Sequence, residues 1–170
     1  MQTMNGIERF GIGAVCDRDL SLLELTDLDS LPPTIALPSR HFACLVLLDA
    51  QGIEVGSIGR FAESLLSQGA VYVGIWGPDC ERVHDIFDEE IVGRGPEVPR
   101  FDPGVMTTWH ADEDLDDALW FLLEVSYPDD RFFETCGSAL VITVGSPMWA
   151  AHVREALSDS KAFCRKIGNK

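Results

Sequence analysis

Cys80 and His84 lie four residues apart, the spacing that brings two side chains onto one helix face. The positive end of a helix dipole lowers a thiol's pKa, and a histidine one turn further on is placed to act as its base. His110 nearby adds a second imidazole, so a thiolate site or a transition-metal site can be drawn. Asp49 and Asp112 suggest different chemistry, because hard divalent cations take carboxylate oxygens and such a pair would suit phosphoryl transfer or hydrolysis. Each group also has a structural reading. Asp49 precedes Gln51-Gly52 as a turn residue would, Asp112 stands before a helix, and a free Cys commonly fills a core.

Motifs of higher specificity are missing. The chain has no Cys-x5-Arg loop, no GxSxG nucleophile elbow and no HExxH. Gly11-Ile-Gly13 lacks a GxGxxG continuation, and Gly52 to Gly59 lacks the Lys-Ser/Thr of a phosphate loop. Cys16, Cys44, Cys80, Cys136 and Cys164 are odd in number and contain no CxxC pair, which fits neither a disulfide framework nor a zinc knuckle. The sequence nominates no cofactor and no committed metal set.

The densest polar feature runs from Trp109 to Trp120, with five acids between Asp112 and Asp117. Negative charge at a helix start is favoured by the macrodipole, so capping alone explains much of it. As a surface it is an acidic edge beside two indoles, Trp109 and Trp120, suited to a basic protein or an amine-bearing ligand. The whole chain leans the same way, since 28 Asp and Glu against 13 Lys and Arg give a formal net charge of -15. Phosphate backbones and anionic lipid are repelled by such a chain, which argues against nucleic-acid and membrane partners. The first residues, MQTMNGIERF, lack a secretory pattern and no apolar run reaches membrane-span length, so a bacterial-type cytoplasmic protein is expected.

The elements that must position these residues are four strand-then-helix units. Phe42 to Leu48 is a continuous apolar run, as a strand buried on both faces reads, and Ile58, Phe61, Ala62, Leu65 and Leu66 mark the helix that follows. Ala70 to Trp76 is the second strand; Asp79 is expected to cap the next helix with its carboxylate, and Val83, Ile86, Phe87 and Ile91 form that helix's inner face. The third strand, Val105 to Trp109, follows a long Gly- and Pro-rich loop from Gly93 to Gly104, a length that commonly carries function. The third helix, from about Asp114 to Ser126, is apolar over more than one stripe because Trp120, Phe121 and Val125 flank its inner face. Ala139 to Val144 is the fourth strand, and Ser146-Pro147 opens the last helix.

Alternation of this kind predicts an α/β fold: a three-layer α/β/α sandwich on a largely parallel four-stranded sheet, with strand orders 2-1-3-4 and 3-2-1-4 both open. Residues 1–40 are read as an N-terminal arm packed on the core, 41–160 as a single domain and 161–170 as a C-terminal tail. Ligands of such sheets bind beyond the carboxyl ends of the strands. That rule gathers Asp49, Trp76, Asp79, Cys80, His110, Asp112, Glu113 and Ser146 on one rim, with His84 and Trp109 beside it.

The stretch TTWHADEDLDDALWFLLEVSYPDD, with ALVITVG downstream, resembles a small bacterial α/β, Rossmann-like family of unknown function over roughly Arg40 to Gly145. The resemblance implies a bacterial source and transfers no catalytic residue. The expected function is a binding or regulatory module, of the kind an immunity or defence accessory would be, working through the acidic rim and the over-apolar third helix. Its expected partner is a basic protein, or a second copy docked through the helix of Trp120 and Phe121. The alternative is a small metal-dependent hydrolase or transferase acting on a nucleotide or phosphoester.

Overall fold

Every apolar residue of the run from Phe42 to Leu48 is buried, and alternate side chains enter two different cores. Phe42, Cys44, Val46 and Leu48 join one apolar cluster, whereas Ala43, Leu45 and Leu47 join the other. Only a central strand covered on both faces distributes its side chains this way. The computed structural model describes residues 3–4, 6–13, 17–93 and 99–169.

The strands are β1 (Thr3–Met4), β2 (Ile7–Ile12), β3 (Asp19–Leu25), β4 (His41–Leu47), β5 (Ala70–Trp76), β6 (Met106–His110) and β7 (Cys136–Val144). They form one mixed sheet in the order β1-β2-β3-β7-β4-β5-β6. β3, β7, β4, β5 and β6 run parallel, and β1 and β2 are antiparallel additions at one edge. The helices are α1 (Val55–Ser67), α2 (Cys80–Val92), α3 (Leu115–Glu124), α4 (Pro147–Ser158) and α5 (Ser160–Gly168). Buried apolar side chains of α1 and α2 belong to the first cluster, and those of α3 and α4, with Cys164 of α5, to the second. Each fully buried Leu, Ile or Phe stabilises the fold by about 1.5–3 kcal/mol relative to an exposed one.

The sheet corrects two expectations. Among the described residues it has seven strands, not four, because residues read as an arm contribute β1, β2 and β3. Leu20 and Leu22 enter one cluster while Leu23 and Leu25 enter the other, so β3 lies inside the sheet beside β7. The sequence hides this because Asp19, Ser21 and Glu24 interrupt an otherwise apolar strand. The end read as a tail forms α5, which Asp159 caps by accepting from the amide of Ala162 at 3.0 Å. The four expected strands do adopt one of the two open orders, 3-2-1-4.

α5 also answers what covers α3. Trp120 and Phe121 are partly buried and pack on the second cluster, and Gly168 at the end of α5 sits against the Trp120 indole. Part of the apolar excess of α3, at Trp120 and Phe121, is therefore taken up within the chain, whereas Val125 stays exposed. Cys16 and residues 94–98 of the loop before β6 lie outside the described residues.

Candidate functional site

Leu47, Trp76 and His110 are register partners across β4, β5 and β6, so the three strands end side by side. The chain leaves β5 toward α2 on one face and β6 toward α3 on the other, which opens a crevice between the two loops. An open groove of about 560 Å³ lies there, and its lining includes Trp76, Cys80, Glu81, Glu113 and Trp149. Trp76 and Trp149 meet edge to face, with ring centroids 5.3 Å apart and planes at 80°. Trp76 Nε1 donates to the carbonyl of Glu113 at 2.9 Å, fixing that ring and tying the end of β5 to the loop after β6. Ser146 accepts from the amide of Trp149 at 3.3 Å and, with Pro147, sets the start of α4 that presents the second indole.

Asp79 does not cap α2 with its side chain. It adopts a left-handed backbone, φ 64°, and its carboxylate turns to Arg82 Nε at 2.6 Å. Arg82 also donates to the carbonyls of Ala50 at 2.5 Å and Ile53 at 3.2 Å, so one guanidinium joins the loops after β4 and β5. Gly77 makes this turn possible. At φ 122° it approaches Leu48 so closely that a Cβ would sit 2.3 Å from the Leu48 carbonyl oxygen.

The drawn thiolate site does not assemble. Cys80 is buried, and burial pushes its thiol up, only partly offset by the backbone amide of His110 and those of Cys80 and Glu81. Desolvation thus outweighs the helix start that was expected to lower it. His84 is committed elsewhere: Nδ1 lies 3.2 Å from Asp85, Nε2 lies 3.1 Å from the Thr107 hydroxyl, and the ring lies against Trp109, centroids 4.5 Å apart and planes tilted at 53°. His110 faces the other side of the sheet, against Phe121 of α3 at 4.9 Å, with Nδ1 held by Glu113 at 2.7 Å. Cys80 lines the groove, and neither His84 nor His110 is among the residues that line it.

The carboxylate pair fares similarly. Asp49 accepts from the amide of Gln51 at 3.1 Å, the turn role. Asp112 is exposed, and Asp114 is the residue that caps α3 by accepting from Asp117 at 2.9 Å. Their parent strands are separated by β5, about 10 Å for two strand spacings. Among the described residues no three His, Cys, Asp or Glu side chains converge to hold a metal ion.

The geometry thus keeps Trp76, Asp79, Cys80 and Glu113 around one groove, places Ser146 behind it, and separates Asp49, His84, Trp109, His110 and Asp112 from its lining. Sequence reasoning paired Trp109 with Trp120, whereas the aromatic pair at the rim is Trp76 with Trp149. Trp149 was read only as an inward residue of the last helix, and Arg82 was not singled out at all. Its spacing of three from Asp79 was the available signal.

A family model spans residues 20–160, most of the sheet and all four helices from α1 to α4. The chain belongs to the family described as Domain of unknown function (DUF7684). The DUF7684 match is wider than the stretch that carries the resemblance, because it takes in β3 and α4. It leaves out β1, β2 and almost all of α5, so the cover over Trp120 lies beyond the matched DUF7684 region. No curated protein matches this DUF7684 chain. Among its described residues no helix is long and apolar enough to cross a membrane.

Proposed function

We propose that this chain is a protein-recognition module whose rim groove receives a cationic side chain, lysine or arginine, from a basic partner. The observation that carries the reading is the Trp76–Trp149 pair walled by Glu81 and Glu113. An ammonium or guanidinium is attracted to the negative face of an indole, and flanking carboxylates add long-range attraction. Asp79 contributes less, because Arg82 already neutralises it. Buried thiols at Cys44 and Cys80, in no disulfide, suit a reducing compartment such as a bacterial cytoplasm.

The metal-dependent hydrolase or transferase loses its support, since Asp49 serves a turn and its expected partner Asp112 starts from a strand two positions away. Titration with N-acetyl-lysinamide, read by tryptophan fluorescence, tests the groove. Saturable quenching that Trp149→Ala abolishes is expected. An unchanged spectrum, or quenching that persists in Trp149→Ala, would remove the groove as the site.

A further inference from the structure

β6 ends the sheet with its outer edge unpaired: among the described residues, β5 is its only strand neighbour. Met106 and Trp109 are exposed and Thr107 and Thr108 half-buried, whereas six of the seven residues of neighbouring β5 are buried. The opposite edge is blunted by a strand of two residues, β1, and among the described residues no strand, proline or bulge does the same for β6. It contains no Lys, no Pro and no register shift against β5. An unprotected edge is a template for a further strand.

The charges around this edge decide which strand. Asp85 and Asp88 stand beside it on α2 with side chains 68% and 49% exposed, and Asp112 and Glu113 follow its carboxyl end. Arg131 approaches the amino end next to Gly104 but is already held by Asp102 and Asp129. A second copy would bring the same carboxylates face to face on a chain of net charge -15, so self-pairing is opposed.

We infer that β6 is a docking strand for an extended, basic segment of a partner protein, added to the sheet by main-chain hydrogen bonds. Alternate cationic side chains of that segment meet Asp85 and Asp88, and one lies over the exposed face of Trp109. The inference stands on the sheet edge and is independent of the groove.

The test uses the intact chain with three synthetic octapeptides: one alternating Lys and Val, its Glu-Val counterpart, and the Lys-Val peptide N-methylated at alternate residues. Calorimetry is expected to show the basic peptide binding about tenfold or more tightly than the acidic one, with the preference shrinking as salt rises. Hydrogen exchange is expected to slow at residues 106–110, in Trp149→Ala as in the wild type. Three outcomes would overturn the inference: N-methylation that leaves affinity unchanged, no protection at β6, or a peptide-free dimer by light scattering with β6 already protected.

Discussion

The indole of Trp76 donates to the backbone carbonyl of Glu113 at 2.9 Å, so the last residue of β5 holds the loop after the neighbouring strand in place. Replacing Trp76 with Phe keeps an aromatic ring and removes that donor. A net hydrogen bond of this kind is worth about 0.5–1.5 kcal/mol, and urea denaturation should show a loss in that range. The same variant should weaken lysinamide quenching, because the ring that faces Trp149 is no longer fixed.

Cys80 at the start of α2 gives a prediction of opposite sign to the usual helix-start thiol. Burial raises its pKa, so at neutral pH the thiol stays protonated and out of solvent. Cys44, wholly buried, is pushed up much further. Native protein treated with a thiol reagent at pH 7.5 should leave Cys44, Cys80, Cys136 and Cys164 unmodified, as mapped by mass spectrometry, and all four should react once the chain is unfolded. Rapid native labelling of Cys80 would show a thiolate that this environment does not explain.

Periodicity made α1 and α2 legible: Ile58, Phe61, Ala62, Leu65, Leu66, Val83, Ile86, Phe87 and Ile91 are all buried as their spacing predicts. The strands from Phe42, Ala70 and Ala139 were readable because burial on both faces leaves continuous apolar runs. β3 was not, since the same burial is spread over a strand whose Ser21 and Glu24 break the run. α5 is not legible because Phe163, Cys164 and Ile167 make too short a pattern to stand out without α3 beneath it. The groove was half legible. Strand-end topology located Trp76, Asp79 and Cys80, but nothing in one sequence says that Trp149, a turn into another helix, reaches the same place.

Arg154 on α4 grips Glu8 of β2, donating from Nε at 2.8 Å and from Nη2, and it also reaches Glu24 of β3 at 3.3 Å. The Arg154 hydrogen bond holds the Glu8 carboxyl below its ordinary value, against the opposing effect of burial. A carboxylate with a depressed folded pKa stabilises the fold above its unfolded pKa and loses that contribution as pH falls through the folded value. Because Arg154 is partly exposed and solvent screens the pair, Arg154→Met should cost about 1 kcal/mol at pH 7. Its deficit relative to the wild type should shrink as the solution is acidified below the ordinary carboxylate range. Parallel pH dependences for the two proteins would contradict the linkage.

Gly77 and Gly56 form a matched contrast. A Cβ at Gly77 would meet the Leu48 carbonyl at 2.3 Å from a backbone of φ 122°, and main chain cannot step aside as a side chain can. Gly77→Ala should destabilise by about 2 kcal/mol or more and disturb the loop that lines the groove. Gly56, in the first turn of α1, has only the flexible end of Arg60 at 3.6 Å from an added Cβ. Gly56→Ala should stabilise by about 0.4–1 kcal/mol, because it restricts the unfolded chain and improves helix propensity. Thermal and urea melts of the two variants should move in opposite directions.

Removing residues 160–170 tests whether α5 is the cover that α3 requires. α3 is apolar beyond the stripe that faces the sheet, and α5 is the element that packs over its Trp120 flank. Truncation after Asp159 uncovers Trp120, takes Cys164 from the second cluster and removes the buried Ile167, together several kcal/mol of burial by ordinary side-chain values. An exposed aromatic face of this kind is a site of association. Light scattering should find the full chain unaffected by concentration and the truncated chain self-associating, with its melting temperature lowered. Trp120→Glu in the truncated chain should restore the monomer, since it places charge on the uncovered face. The same substitution in the full chain should destabilise, because there the carboxylate is forced under α5. That reversal of sign separates an intramolecular cover from an interaction surface: a docking face would tolerate Trp120→Glu in the full chain and lose only its partner.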